Sequence, residues 1–160
     1  GGNIYDRDYS KKIWLSGRSM IGHPTVTTLD GDTNTWARIS LGGKNSFSTG
    51  DISSAIPGFG WKLPGGGASA LILQVSNGTA VTSVTSSFTP TLRQMFDWKI
   101  YSDGAGNVTL YVNGSSVATT SAGPSGSTNA GLYFESVDAT GGHAKALGLN
   151  TVGTKIYFST

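Results

Sequence analysis

Cysteine is absent from this 160-residue chain, and charged residues make up only 12% of it. Without cysteine there is no disulfide, no thiolate nucleophile and no cysteine-ligated zinc. The charged share is about half of what is usual in soluble domains, and the formal net charge is +2. The basic residues do not form a stripe that would track a phosphate backbone, so we expect no nucleic-acid partner.

Long hydrophobic runs are missing as well. No stretch approaches the ~18 apolar residues of a membrane-spanning helix, so we expect no membrane partner. The N-terminus shows no signal-peptide pattern. We interpret Gly1-Gly2 as an expression remnant or as a cut from a longer chain.

Helical periodicity is almost absent, and apolar residues instead recur with a period of two. Serine, threonine, glycine and asparagine replace the missing charges. Threonine fits a pleated strand, whereas glycine and asparagine favour turns. A hydrophobic share of 37% is enough for one core. The sequence therefore predicts a single all-β domain, an antiparallel two-sheet jelly-roll sandwich.

The clearest alternation covers residues 96–120 and predicts a three-stranded meander. A glycine loop at residues 103–107 joins the first two strands. Asn113-Gly114 joins the last two in a two-residue turn, because both residues tolerate a positive φ. Both turns place the same apolar set on one face. The predicted cross-strand pairs are Trp98–Val112, Ile100–Leu110, Leu110–Val117 and Val112–Ser115.

Shorter alternating runs predict further strands. A hairpin is expected over residues 70–88 with Asn77-Gly78 at its tip, although three consecutive apolar residues, 71–73, leave its inward face undecided. The other predicted strands are 25–29, 36–41, 131–137 and 155–159. Residues 1–24 lack clean alternation, so we expect an N-terminal arm or linker there and a lectin-like jelly-roll domain over residues 25–160.

A family resemblance rests on the meander. The run Phe96-Asp-Trp-Lys-Ile-Tyr, then Asp103-Gly-Ala-Gly-Asn-Val-Thr-Leu-Tyr-Val-Asn-Gly, then Val117-Ala, resembles the concanavalin A-like lectin/glucanase superfamily, which includes laminin-G-like modules. The version found in bacteriophage and large-virus surface proteins is the most similar. The resemblance covers residues 36–159 and implies a concanavalin A-like jelly roll.

Catalytic residues are not expected. The superfamily includes glycosidases, whose usual mechanism needs two carboxyl groups facing one glycosidic bond. The chain has a single glutamate, Glu135, and the residues two positions away are Tyr133 and Val137. The two histidines, His23 and His143, lie in predicted turns or loops, and no serine lies in a nucleophile elbow. The sequence therefore predicts that the protein is not an enzyme.

No cofactor is assigned, with Ca²⁺ kept as an alternative. Asp30-Gly-Asp32 followed by Asn34 is similar to the start of a calcium loop, but it lacks the distant bidentate glutamate. We interpret this segment as a polar turn before the strand at Trp36, so no metal ligand is assigned.

The solvent face of the meander is one candidate ligand site, formed by Lys99, Tyr101 and Tyr111. Aromatic rings present a flat apolar body that can stack on a sugar, and their polar tips can reach hydroxyl groups. The alternative is an ordinary solvated face with cross-strand pairs.

Trp61 and Phe59 form the second candidate ligand site. They lie in residues 42–67, which are rich in glycine and predict a long loop. Long loops in compact domains are commonly functional. The alternative is that these aromatic side chains fix the loop to the edge of the core.

Resemblance and the missing carboxylate pair together predict a non-enzymatic module on a virion surface, such as a fibre, spike or capsid decoration. It would attach the particle to a cell-surface glycan or other host receptor. A homo-oligomer, with a trimer as one option, would contact neighbouring virion subunits. Two alternatives remain open: a structural shell protein that binds only neighbouring subunits, and a carbohydrate-binding module of a secreted cellular protein.

Overall fold

Strands and turns make up the described part of the chain, residues 6–21, 35–43, 51–65, 69–129, 131–138 and 149–158 of a computed structural model. The predicted strand at residues 25–29, the polar turn at Asp30–Asn34 and both histidines lie outside these ranges. No helix in the described residues is long and apolar enough to cross a membrane. The all-β prediction is confirmed.

Twelve strands follow one another in the described residues. They are β1 (Asp6–Asp8), β2 (Ile13–Ile21), β3 (Thr35–Gly42), β4 (Gly58–Pro64), β5 (Ile72–Ser76), β6 (Val81–Thr85), β7 (Met95–Ser102), β8 (Val108–Val112), β9 (Ser115–Thr120), β10 (Ser127–Asn129), β11 (Leu132–Asp138) and β12 (Leu149–Phe158).

Ten of these strands form two five-stranded sheets. Sheet I has the order β12-β2-β7-β8-β9 and sheet II the order β11-β3-β4-β5-β6, while β1 and β10 pair separately. All pairings are antiparallel. Some strands that are adjacent in a sheet, such as β2 and β7, are distant in sequence, so the chain crosses between the two sheets. This is the predicted concanavalin A-like jelly-roll sandwich.

The meander has the predicted register except at one position. Asn113 and Gly114 both have positive φ, 49° and 84°, as the two-residue turn requires. Leu110, however, pairs with Ala118 instead of Val117, because the register shifts between Leu110 and Tyr111. Such a bulge adds one residue to a strand, so Ala118 takes the buried position while Val117 is half-buried. The confirmed pairs are Trp98–Val112, Ile100–Leu110 and Val112–Ser115.

The second hairpin consists of β5 and β6, as predicted. Its inward face carries Leu71 and Leu73, which are both fully buried, while Ile72 lies half-buried on the other side. At the tip, the Oδ1 atom of Asn77 accepts hydrogen bonds from the backbone N–H groups of Thr79 and Ala80, each at 3.0 Å. This local side-chain bonding closes the turn.

The arm predicted over residues 1–24 is not observed for residues 6–21, which belong to the sandwich. Strand β2 lies inside sheet I between β12 and β7, and its Ile13, Leu15 and Ile21 are fully buried. The prediction was wrong there because Gly17 and the buried Ser19 interrupt the apolar alternation. Trp14, on the opposite face, also makes the run look irregular.

The loop predicted over residues 42–67 contains strand β4, which pairs with β3 and β5. Its glycines were read as loop formers, but Gly60 serves close packing within the sheet. A side-chain carbon at Gly60 would lie 2.2 Å from the carbonyl oxygen of Ile39. Only glycine fits where two strands come this close.

The core between the sheets is centred on two tryptophans. Trp61 of β4 meets Trp98 of β7 edge to face, with 5.9 Å between ring centroids, a favoured aromatic geometry. Phe96 packs 6.1 Å from Trp61. The Nε1–H of Trp98 donates a 2.8 Å hydrogen bond to the buried hydroxyl of Ser19. This bond satisfies the indole donor and joins β7 to β2.

We expect Trp61→Ala to lower the free energy of unfolding by about 3–5 kcal/mol, because it leaves a cavity between the sheets. Trp14→Ala is the matched control. Trp14 is half-buried on the outer face of sheet I, so its loss should cost no more than about 1.5 kcal/mol. Urea unfolding followed by circular dichroism measures both, and equal losses would contradict this core assignment.

Candidate functional site

The solvent face of sheet I carries a row of aromatic and polar side chains. We call this surface the platform and define it by the outward residues of β2, β7 and β8 that lie side by side. Trp14 pairs with Tyr101, which pairs with Thr109, and in the next row Lys99 pairs with Tyr111. Side chains alternate along a strand, so burial of Trp98 and Leu110 turns these residues toward solvent.

The platform side chains pack against one another in pairs. The rings of Trp14 and Tyr101 have centroids 4.9 Å apart and planes inclined by 34°. The Nζ atom of Lys99 lies 4.9 Å from the ring centroid of Tyr111, within cation–π range. Packing leaves the three aromatic residues half-buried and Lys99 exposed. The platform is therefore a packed aromatic surface with an exposed cation at its side.

A small depression adjoins the platform at the turn between β8 and β9. Its volume is about 240 Å³, and Asp97, Trp98, Lys99, Tyr111 and Gly114 line it. Pockets that enclose a small ligand typically measure about 300–1,000 Å³. This depression is smaller, so it suits one group at the edge of a longer ligand lying on the platform.

An ion pair borders the platform. Arg18 donates two hydrogen bonds to the carboxylate of Asp97, from Nε at 2.6 Å and from Nη2 at 3.0 Å. The hydrogen bond from Arg18 lowers the pKa of Asp97 below its ordinary value. Both side chains are more than half exposed, so the pair adds little stability. The consequence is that the positive charge of Arg18 is already compensated by Asp97.

The other predicted ligand residues, Trp61 and Phe59, lie in the core. Both are fully buried, and Phe59 packs 6.0 Å from the ring of Tyr9. Neither can touch a ligand while the protein is folded, so this candidate site was wrong. Both are inward-facing residues of strand β4. The glycines beside them led to the prediction of a loop.

Trp14 is the platform residue that sequence reasoning missed. It was assigned to the arm, so its position was not considered. The sequence held only a weak signal for it, because apolar Ile13 and Leu15 flank Trp14 but the alternation stops at Gly17.

Sheet II offers no comparable surface within the described ranges, because residues 51–57 lie over its outer face. We call this segment the strap. Asp51 Oδ1 accepts hydrogen bonds from Gln74 Nε2 at 2.6 Å and from Lys62 Nζ at 3.0 Å. Ser76 donates to the carbonyl oxygen of Ser54 at 3.3 Å. Gln74 and Ser76 are consequently buried.

The described residues contain no group of three acidic or histidine side chains that could hold a metal ion. Asp103, in the glycine loop, instead bonds to its own loop: its Oδ1 accepts from the backbone N–H of Ala105 at 2.8 Å. A hydrogen bond from the Asn107 side chain is the main cause that lowers the pKa of Asp103. This carboxylate stabilises the turn between β7 and β8.

Comparison of the sequence with protein-family models gives no match, and comparison with curated proteins gives none either. Solved structures, in contrast, share the fold over nearly the whole chain. The binding domain of botulinum neurotoxin serotype G superposes with a TM-score of 0.60 at 16% identity, over 96% of this chain and 34% of that one. This chain thus corresponds to about a third of the toxin domain.

Two further structures illustrate how widely the fold is used. The carbohydrate-binding module CBM66 from Bacillus subtilis gives a TM-score of 0.55 at 10% identity, over 95% of this chain and 76% of that one. The alginate lyase PA1167 from Pseudomonas aeruginosa gives 0.57 at 18% identity, over 97% and 68%. Identities this low establish the concanavalin A-like fold alone.

The prediction that this protein is not an enzyme was wrong as an inference from the sequence. Three of the similar structures are alginate lyases. The exclusion rested on the carboxylate pair that glycoside hydrolysis needs. A lyase breaks a sugar chain without hydrolysis, so a missing carboxylate pair does not exclude catalysis in this fold.

We expect Asp51→Asn to destabilise the protein modestly, by less than about 1 kcal/mol at neutral pH. Partial burial raises the pKa of Asp51, but hydrogen bonds from Gln74 and Lys62 lower it by more, so its net pKa is below the ordinary value. A lowered folded pKa stabilises the protein above the unfolded value of about 3.9. That contribution is lost as the pH falls through the folded pKa.

The measurement is the free energy of unfolding of wild type and Asp51→Asn between pH 7 and pH 2.5. The difference between the two proteins should shrink toward the acid end. A constant difference over this range would mean that the Asp51 charge does not hold the strap.

Proposed function

We propose that this domain is a glycan- or receptor-binding module and that its ligand lies on the platform. The observation that carries the proposal is the aromatic surface on the solvent side of sheet I, where Trp14 packs against Tyr101 beside Tyr111. Paired aromatic rings held outward by a rigid sheet suit the apolar C–H face of a sugar ring.

Polar groups around the aromatic rings make the platform complementary to the hydroxyl groups of a sugar as well. Thr109 lies next to Tyr101 in the same row, and its hydroxyl is 3.1 Å from that of Thr119 on β9. Hydroxyls and tyrosine tips can exchange hydrogen bonds with sugar hydroxyls at the rim of a stacked ring. The aromatic side chains are already packed, so binding orders few additional rotamers.

The similar structures support a binding module as the class of protein, but they do not identify its ligand. One is named as a carbohydrate-binding module and another as a toxin binding domain. The fold is thus used for recognition in other proteins.

A glycan-array screen of the purified domain, with and without Ca²⁺, tests the proposal. We expect binding to at least one oligosaccharide, weakened about tenfold or more by Trp14→Ala and by Tyr111→Ala, since tenfold corresponds to about 1.4 kcal/mol of lost contact. Isothermal titration with the best glycan gives the dissociation constants.

Tyr133→Ala is the matched control, because Tyr133 is a half-buried tyrosine on β11 of sheet II. It should retain wild-type affinity. A blank array under both conditions, or platform variants that bind as well as wild type, would overturn the proposal. A blank array would favour the structural alternative, in which the domain contacts only neighbouring subunits.

The setting that we propose is the surface of a virus particle, outside the cell, with the module serving attachment as a homo-oligomer. The resemblance of the meander to phage and large-virus surface domains supports it. Light scattering coupled to size-exclusion chromatography should give a mass that is a multiple of 16.5 kDa. A monomeric mass at high protein concentration would contradict the oligomer.

A further inference from the structure

Sheet I has an unequal distribution of charge. Its five strands contain three basic residues, Arg18, Lys99 and Lys155, and a single acidic residue, Asp97. Asp97 is already paired with Arg18. Within the described ranges Lys99 forms no salt bridge, and its only charge-related contact is with the ring of Tyr111. The sheet therefore retains positive charge that no acid of its own strands balances.

The exposed cation of this sheet lies in one row of described side chains. Ser16 of β2 pairs with Lys99, and Lys99 pairs with Tyr111. We call these three positions the basic row. They cross three neighbouring strands and so extend over about 10 Å.

The adjacent row is aromatic. Trp14 of β2 pairs with Tyr101, and Tyr101 pairs with Thr109. We call this the aromatic row. It lies two residues away from the basic row along each strand, a distance of about 7 Å. An elongated ligand lying across the strands would contact both rows along its length.

We propose that the ligand of the platform is an acidic polysaccharide, with its sugar rings on the aromatic row and its carboxylates at the basic row. The inference rests on the proposed function and adds the chemical class of the ligand. A neutral glycan would need the rings and hydroxyls but would leave Lys99 unused. A chain of uronic acids presents a carboxylate on every ring, so one molecule can engage both rows.

Lys99 is suited to this role by its present contact. It is exposed, and its ammonium group rests on the face of Tyr111 at 4.9 Å. A cation–π contact at an exposed site is worth only about 0.5–1 kcal/mol. An incoming carboxylate can therefore draw the ammonium group away from the ring, which frees the Tyr111 face for a sugar.

Single-stranded nucleic acid is the competing polyanion, because bases also stack on aromatic side chains beside basic residues. The observations favour the polysaccharide. Proteins of that kind usually line a groove with many cations, whereas this platform has one unpaired lysine among its described side chains. The net charge of the whole chain is only +2.

The test compares acidic and neutral forms of the same sugar chain. Oligogalacturonate and oligomannuronate are each titrated into the full chain beside their methyl esters, which keep the rings and remove the charge. We expect an acid form to bind at least tenfold more tightly than its ester at 50 mM NaCl. The advantage should shrink at 500 mM NaCl, since exposed charges are screened.

Lys99→Met assigns the effect to the platform. It should abolish the preference for the acid over the ester, because methionine retains an unbranched chain of similar length but carries no charge. Lys11→Met is the control, an exposed lysine in the turn between β1 and β2. It should behave as wild type. Trp14→Ala should weaken acid and ester equally.

The outcomes separate the two proposals. Equal binding of acid and ester overturns the acidic ligand but leaves glycan binding at the platform intact. Failure of the acids and the esters alike overturns the acidic ligand, and the glycan array then decides whether the platform binds any other sugar. Binding of a thymidine oligonucleotide as tight as that of the acidic sugar, and equally sensitive to Lys99→Met, overturns the polysaccharide in favour of a general polyanion site.

Discussion

The contact between Trp61 and Trp98 is the interaction on which the rest of the structure depends. It joins sheet II to sheet I through two fully inward side chains. Because side chains alternate along a strand, the inward position of Trp98 determines that Lys99 faces solvent. A slip of one residue in β7 would reverse this and bury the charge. The platform is thus held in place from inside, by the packing of the core.

The outer faces of the two sheets both carry polar side chains, but these side chains make different contacts. On sheet II the carboxylate of Asp51 in the strap accepts hydrogen bonds from Lys62 and Gln74, so these two side chains are engaged within the chain. On sheet I the aromatic side chains pair with one another and remain half-buried. The proposed ligand is placed on sheet I, where these aromatic rings are partly accessible.

The fold by itself does not indicate whether a protein binds a ligand or catalyses a reaction. Toxin binding domains, a carbohydrate-binding module and alginate lyases all resemble this chain in structure at low identity. A sandwich supplies two rigid faces and several loops, and unrelated chemistries can be built on any of them. Arguments about function must therefore come from particular side chains, as they do here from Trp14, Lys99 and Tyr111.

The sequence by itself determined the all-β class, the meander and the outward position of Lys99, Tyr101 and Tyr111. These follow from local alternation and from Asn113-Gly114, whose turn geometry is set by two residues. Only the tertiary structure decided the roles of Trp14 and Trp61. Gly60 is a strand residue because another backbone lies against it, and β2 is a central strand because β7 and β12 flank it. Such contacts join residues far apart in sequence, so no local pattern can reveal them.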